Sequence, residues 1–297
     1  MGVPAARRSP LTVARWLLAA ARPRQWPKNL FVYAAMVFTD SWRSFGLVTA
    51  AFGLFCLVSS AVYLLNDVID REQDRLHPEK RLRPIASGQL PWQAALASAT
   101  VAAAAGVTAS FLLGARFGWA VVAYIGLQVA YTLALKREVL VDVFAIAGGF
   151  VLRAVAGAYV LGVPNSVWLL VCTFQLALFM GFGKRRHELV TLEHAAGNHR
   201  RTLSRYSLPF LDQMIAIVLA GLIVSYALYT ITSPTSRAHQ ALIATLPSVM
   251  YGCFRYLYLI HIEHRGGSPE AILLEDRPMQ INLLVWLTVV VLAFRAG

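Results

Sequence analysis

The feature that most constrains the fold is a series of long apolar stretches that recur along the whole chain. Of its 297 residues, 58% are hydrophobic and 14% are charged, which is typical of membrane proteins. Each stretch approaches the roughly 20 residues that a helix needs to cross a bilayer core. We predict nine spans, at 29–42, 47–66, 92–113, 117–135, 139–162, 166–183, 208–232, 241–260 and 279–295. The predicted fold is an all-α integral membrane protein with one polytopic domain, 1–297.

The distribution of Lys and Arg predicts the orientation in the membrane. Of the 27 basic residues, 21 lie in segments on one side of the predicted spans and four on the other. Because cytoplasmic segments are enriched in Lys and Arg, this side should face the cytoplasm from the cell membrane. The cytoplasmic loops are then 66–90, 184–207 and 261–278, and residues 11–21 are predicted to form an interfacial helix.

The net charge of +12 should attract anionic lipid headgroups and phosphorylated substrates. The basic residues flank the spans without any nucleic-acid recognition motif, so no nucleic-acid partner is expected. Cys56, Cys172 and Cys253 lie in separate spans without metal-ligand spacing. They are interpreted as packing residues.

The densest charged segment follows the second predicted span. Asn66, Asp70 and Asp74 are four residues apart, and Asp67 lies three before Asp70, so a continued helix would present them on one face. Carboxylates on one face repel unless a cation lies between them, and Mg²⁺ takes few carboxylates and fills its shell with waters and substrate phosphates. Basic residues suited to phosphate follow at Arg75, Lys80, Arg81 and Arg83. The segment predicts a Mg²⁺–diphosphate site; a loop held by salt bridges is the alternative.

Two ionisable residues are predicted inside the span that begins at Val139. Asp142 lies about one turn into the membrane, and Arg153 lies on nearly the same face about three turns deeper. Asp142 is a candidate for substrate or metal contact, although it would also suit a helix cap. Arg153 equally suits a structural partner. Tyr131 and Lys136, at the end of the preceding span, could face the same mouth.

Other charged residues lie at the same side. Lys28 suits either a membrane anchor, like the nearby Arg22, or a phosphate contact, and Lys184 and Arg185 are candidates for direct phosphate binding. Residues interpreted as loop histidines are His187, His194 and His199. The charged residues just before the last predicted span would form either a lid over the site or a solvated loop; they are Glu275, Asp276 and Arg277.

The motif N-x-x-x-D-x-x-x-D followed by R-x-R-P-I-A-S-G resembles the first motif of the UbiA-type intramembrane prenyltransferase superfamily. The likeness covers essentially the whole chain. Its other segments are RPRQWPKN (22–29), YTLALKREVLVD (131–142), MGFGKRRHEL (180–189) and SPEAILLEDRP (268–278). The resemblance implies a UbiA-type helical bundle with a polar active-site mouth facing the cytoplasm.

Prenyltransferase branches of this superfamily carry a second Asp-rich cluster, which holds an allylic diphosphate through a second Mg²⁺. Here that position carries Lys184, Arg185 and Arg186. This departure resembles the branch that transfers phosphoribosyl groups. The resemblance implies 5-phosphoribosyl 1-diphosphate (PRPP) with Mg²⁺ as donor and a polyprenyl (decaprenyl) phosphate as acceptor. The products would be polyprenyl-phosphoryl-5-phosphoribose, a precursor of cell-wall arabinan, and diphosphate.

The resemblance also suggests roles for the candidate residues. The Mg²⁺ ligands would be Asn66, Asp67, Asp70 and Asp74. The catalytic residues would be Asp70, Asp74 and Asp142. The substrate-binding residues would be Lys28, Asn66, Arg75, Lys80, Arg81, Arg83, Tyr131, Lys136, Lys184 and Arg185. Whether Asp142 contacts metal or sugar is left open, as is the choice between a monomer and a homo-oligomer.

Two alternatives remain from the sequence. A conventional prenyltransferase would share the fold and the first motif, but it would carry acids where 184–186 are basic. A transporter or lipid-binding protein would line a path across the membrane with charges, whereas here the charges gather on one side.

Overall fold

The computed structural model describes residues 10–78, 80–193, 205–267 and 269–296, and its regular structure there is entirely helical. The helices are α1 (Pro10–Ala20), α2 (Ala34–Phe38), α3 (Phe45–Ile69), α4 (Arg71–Leu76), α5 (Trp92–Leu113), α6 (Ala115–Leu133), α7 (Val141–Leu161), α8 (Val167–Glu193), α9 (Leu208–Thr232), α10 (Pro234–Ala238), α11 (Leu246–His261), α12 (Pro269–Glu275) and α13 (Arg277–Ala296). The shorter 3-10 helices are Pro23–Tyr33, Trp42–Ser44, Lys80–Leu82, Leu135–Arg137 and Gln240–Thr245.

Within the described residues, seven helices are long and apolar enough to cross a membrane. They are Trp42–Ile69, Trp92–Leu113, Val141–Leu161, Val167–Thr191, Leu208–Thr232, Gln240–His261 and Arg277–Ala296. The 19-residue α6 packs between α5 and α7, and it follows a one-residue turn at Gly114, where φ is 155°. The predicted all-α membrane fold is confirmed, while the count of nine membrane spans stays a prediction.

The predicted span 29–42 is not one α-helix. Residues Pro23–Tyr33 form a 3-10 helix and α2 follows it, and within this 3-10 helix Pro27 has no N–H for an α-helical hydrogen bond. This segment packs directly on α7. A Cβ at Gly157 would lie 2.0 Å from the carbonyl oxygen of Val32, so only glycine permits this approach.

The predicted loop 184–207 is helical in its first half. Helix α8 continues through the charged residues to Glu193, since Lys, Arg, Leu and Glu are good helix formers and Arg185 pairs with Glu188 one turn later. Residues 205–207 lead into α9, where Ser207 caps the helix. Residues 194–204, with His194 and His199, lie outside the described part of the chain.

The interpretation of His187 as a loop residue is therefore wrong: it lies on α8, because the helix continues past the charged residues. The connection between α11 and α12 crosses this point of α8. A Cβ at Gly267 would lie 2.7 Å from the His187 ring, and one at Gly266 would lie 3.1 Å from His187 Cβ. The predicted loop 261–278 also contains α12, which packs on the 3-10 helix at Pro23–Tyr33. The connection between α11 and α12 therefore covers the charged, C-terminal part of α8.

Asp276 anchors this connection. It is buried, and its carboxylate accepts hydrogen bonds from Arg255 Nη2 at 2.8 Å and from the Met279 backbone N–H at 2.9 Å. It thus ties α13 to α11. Glu275 remains exposed and pairs with Arg265.

Asp276 should contribute pH-dependent stability. The hydrogen bond from Arg255 holds the pKa of Asp276 below its usual range. A depressed pKa stabilises the fold above the unfolded pKa of about 3.9 and loses this contribution as the pH falls through the folded pKa. In thermal unfolding in detergent, wild type should be more stable than Asp276→Asn. The difference between their free energies of unfolding should be constant from neutral pH to about pH 5 and should shrink below about pH 4. A gap that grows on acidification would contradict this assignment.

Candidate active site

The acid cluster lies where α3 gives way to α4. Helix α3 ends at Ile69, and Asp70 leaves helical geometry at φ −87° and ψ 2°. The turn hydrogen bonds nevertheless continue, from Asp70 N to Asn66 O at 2.9 Å and from Asp74 N to Asp70 O at 2.8 Å. The predicted continuation of the helix therefore holds with one irregular residue, and the polar side chains stay at one end of the bundle.

Asp67 and Asp74 face a common cation. Arg83 Nη1 lies 3.1 Å from Asp67 Oδ1 and 2.6 Å from Asp74 Oδ2, and Arg22 also pairs with Asp67. The two carboxylate side chains are only 3% and 6% exposed. Buried charges need such partners, because desolvation otherwise disfavours the charged form. Arg22, interpreted from the sequence as a membrane anchor, thus belongs to the site.

Asp70 is the most accessible of the three carboxylates, with a side chain 22% exposed. Lys136 donates to both of its oxygens, at 2.7 and 2.8 Å. One turn earlier, Asn66 Oδ1 accepts a hydrogen bond from Thr132 Oγ1 at 2.6 Å. The end of α6 and the 3-10 helix that follows it are therefore bound to the acid cluster through Thr132 and Lys136.

A second polar group lies between the start of α7 and the end of α8. Asp142 Oδ2 accepts a hydrogen bond from Arg185 Nε at 2.8 Å, and both side chains are almost fully buried. Arg185 also pairs with Glu188. Asp142 thus has a cationic partner within the protein. Tyr131 is half-buried near the end of α6.

Tyr206 is a member of this group that the sequence did not reveal. Its hydroxyl donates to Asp142 Oδ1 at 2.9 Å and accepts from the Leu140 N–H at 2.7 Å. Leu140 has φ 68° and ψ −46°, a rare conformation for a branched residue, just before α7. Burial raises the pKa of Tyr206 to about 12, so the hydroxyl stays protonated at neutral pH.

Tyr206→Phe should destabilise the protein by about 1–3 kcal/mol, because it leaves the partly buried Leu140 N–H and one oxygen of the buried Asp142 without their partner. The measurement is the free energy of unfolding in detergent. Tyr251→Phe, at a half-exposed position on α11, is the matched control and should match wild type. Equal stability of the two variants would remove the structural role from Tyr206.

The basic residues after the acid cluster do not all face it. Arg83 does, whereas Arg75 donates to Glu72 in an exposed ion pair. Lys80 begins a 3-10 turn and is half-buried, and the Arg81 side chain is exposed. Arg83 therefore contacts two of the carboxylates directly, Asp67 and Asp74.

Three further cations were singled out by the sequence. Lys184 is half-buried on α8 beside Arg185, and the Lys28 amine donates to Gln25 in the N-terminal 3-10 helix. Arg153 is buried, and it donates to Asn29 Oδ1 at 2.8 Å and to the Tyr124 hydroxyl at 2.9 Å. These neutral partners join the N-terminal segment, α6 and α7, which favours the structural interpretation of Arg153.

The acid cluster suits Mg²⁺ in the chemistry of its donors. No three acid, His or Cys side chains converge on one ion position among the residues that the structure describes. Mg²⁺ in phosphate-transfer sites needs only one or two carboxylates, together with water and substrate phosphates. The shared contact of Asp67 and Asp74 with Arg83 shows that two carboxylates reach one cation position. The residues therefore fit an ion that is bound together with a diphosphate.

A bundle of membrane helices with such a site at one end defines a class of intramembrane transferases. The model of the UbiA prenyltransferase family matches residues 29–293, so the chain belongs to this family. The predicted superfamily and the predicted transferase class are confirmed.

Among curated relatives are proteins named decaprenyl-phosphate phosphoribosyltransferase. The one from Mycolicibacterium smegmatis is 33% identical and the match covers 94% of this chain and 92% of the relative. The one from Corynebacterium glutamicum is 32% identical, with 97% and 89% covered. A solved structure of a UbiA homologue from Archaeoglobus fulgidus bound to GPP and Mg²⁺ has a TM-score of 0.70 at 18% identity, covering 94% of this chain and 99% of that one, which shows a shared fold.

Proposed function

We propose that this protein transfers the 5-phosphoribosyl group of PRPP to a polyprenyl phosphate in a Mg²⁺-dependent reaction. The products are polyprenyl-phosphoryl-5-phosphoribose, a cell-wall arabinan precursor, and diphosphate. The observation that carries the proposal is the basic end of α8, which places Arg185 beside Asp142 where an allylic-diphosphate enzyme would carry acids. Relatives with the corresponding name over nearly the full chain support it.

The donor diphosphate would bind at the acid cluster. The candidates for the Mg²⁺ ligands are Asn66, Asp67, Asp70 and Asp74, of which one or two carboxylates would suffice, and the bound ion would neutralise charge on the departing diphosphate. Lys136 and Arg83 now neutralise the carboxylates, and on binding they would turn their charge to phosphate oxygens. The other candidates for the diphosphate are Arg75, Lys80 and Arg81. PRPP is polyanionic and water-soluble, so the site would face the cytoplasm.

The acceptor needs little activation. A polyprenyl phosphate is already anionic, so its oxygen can attack the anomeric carbon without a strong general base, from the face opposite the diphosphate. Asp142 would hold Arg185 in place or contact the ribose hydroxyls, and Tyr206 would fix its orientation. Arg185, Lys184 and Lys28 are candidates for the remaining phosphates. Tyr131 would line the entrance between the two groups.

The test is a choice between donors. Purified protein in detergent is given polyprenyl phosphate, Mg²⁺ and either radiolabelled PRPP or a radiolabelled allylic diphosphate, and label in the lipid product is counted. We expect transfer from PRPP that EDTA abolishes. Transfer from the allylic diphosphate alone would assign the protein to conventional prenyl transfer and would overturn the proposal.

A further inference from the structure

A groove of about 610 Å³ runs between α9 and α11 and is open along one side. Its walls are mostly apolar, and Ala216 and Ala220, one turn apart on α9, form part of its floor. Polar groups occur mainly at one end, where Asp212 of α9 meets His261 of α11. The groove therefore has an apolar channel and a single charged mouth.

The charged mouth adjoins the candidate active site. Arg186 Nε donates to Asp212, whose Oδ1 also lies 3.2 Å from His261 Nε2. Arg186 directly follows Arg185, which holds Asp142. Two consecutive residues of α8 thus connect the groove on one side with the candidate site on the other.

The length of the groove matches one leaflet of a membrane. From Asp212 to Ile223, α9 rises about 16 Å at 1.5 Å per residue, about half of the ~30 Å hydrocarbon core. Asp212 lies near the start of α9, at the end of the bundle that holds the candidate site. A chain in the groove would therefore begin beside the site and descend through one leaflet.

We infer that this groove holds the first isoprene units of the acceptor tail, while the acceptor phosphate passes Arg186 and His261 to reach the candidate site. This inference rests on the proposed function. The Arg186 guanidinium suits an anionic headgroup, and the apolar walls suit a hydrocarbon chain. A phospholipid acyl chain would match the same walls. The direct connection through α8 to the site favours the acceptor.

The inference is tested by filling the groove. Ala220→Phe places a ring in the channel about 12 Å from Asp212, eight residues away along α9. Ile217→Phe is the matched control, because Ile217 lies on the same helix, is 57% exposed and does not line the groove. The acceptors are a long polyprenyl phosphate and dimethylallyl phosphate, whose single isoprene unit ends before residue 220.

We expect Ala220→Phe to raise KM for the long acceptor at least tenfold, with no change for the short one and no change in Ile217→Phe. An unchanged KM for the long acceptor in Ala220→Phe would overturn the inference.

A second measurement tests the inference without requiring that PRPP is the donor. A polyprenyl phosphate with a photoreactive group on its third isoprene unit is crosslinked to the wild-type protein, and the labelled peptides are mapped. Label in α9 and α11 that unlabelled polyprenyl phosphate displaces supports the inference even if PRPP is not the donor. Label elsewhere, or label displaced by phosphatidylglycerol vesicles but not by polyprenyl phosphate, overturns it.

Discussion

Asp70→Asn is expected to lower turnover by about 30- to 1,000-fold, equivalent to ~2–4 kcal/mol of activation free energy, while the protein stays folded. Asp70 is the most exposed carboxylate of the cluster and pairs with Lys136. The amide keeps the shape of the side chain but removes the charge that would hold Mg²⁺ on the diphosphate. Asp74→Asn should act in the same direction, although it also disturbs Arg83.

The assay for Asp70→Asn is the rate of lipid labelling at saturating substrate, with the unfolding temperature as the folding check. Glu72→Gln is the matched control: Glu72 lies in the same segment, its side chain is 64% exposed, and it pairs with Arg75. We expect it to keep wild-type turnover. Normal turnover in both Asp70→Asn and Asp74→Asn would exclude the acid cluster from the mechanism.

The second large effect concerns the buried pair of Arg185 and Asp142. Arg185→Leu should reduce the free energy of unfolding by about 3–5 kcal/mol, because it leaves a buried carboxylate without its cation. The double variant Asp142→Leu/Arg185→Leu should regain most of that stability, since two apolar side chains need no partner. Both variants should have little transferase activity if Arg185 binds a phosphate.

The control for this series is Glu275→Gln, which removes an exposed ion pair with Arg265 and should change stability by less than about 1 kcal/mol. Recovery of activity together with stability in the double variant would show that the pair is structural. Recovery of stability without recovery of activity assigns the Asp142–Arg185 pair to the site.

The acid cluster was predictable because its geometry is local. The four-residue spacing of Asn66, Asp70 and Asp74 fixes their shared face wherever the helix continues, and the structure departs from it at one residue. The pairing of Asp142 with Arg185 was not predicted, although both residues were candidates. Tyr206 gave no local signal, because its partner Asp142 is 64 residues away in the chain.

Two errors in the prediction have a common cause. Charge was interpreted as a sign of a loop at 184–193, but Lys, Arg and Glu are also strong helix formers, and α8 carries them beyond its apolar part. At 29–42, apolar composition was interpreted as one helix, although residues up to Tyr33 belong to a 3-10 helix in which Pro27 has no N–H for an α-helical hydrogen bond. Composition indicates that these segments lie near the membrane. The helix propensity of the residues and the missing proline N–H affect whether each segment forms a loop, an α-helix or a 3-10 helix.

The most direct test of the account follows two labels in one donor. PRPP labelled with ³²P on the 5-phosphate and with ¹⁴C in the ribose is incubated with purified protein, Mg²⁺ and polyprenyl phosphate, and the lipid product is isolated. The account predicts that both labels enter the lipid in the donor ratio, with one unlabelled diphosphate released per transfer. Phosphate label without ribose label, or a lipid free of both in folded protein, would contradict phosphoribosyl transfer.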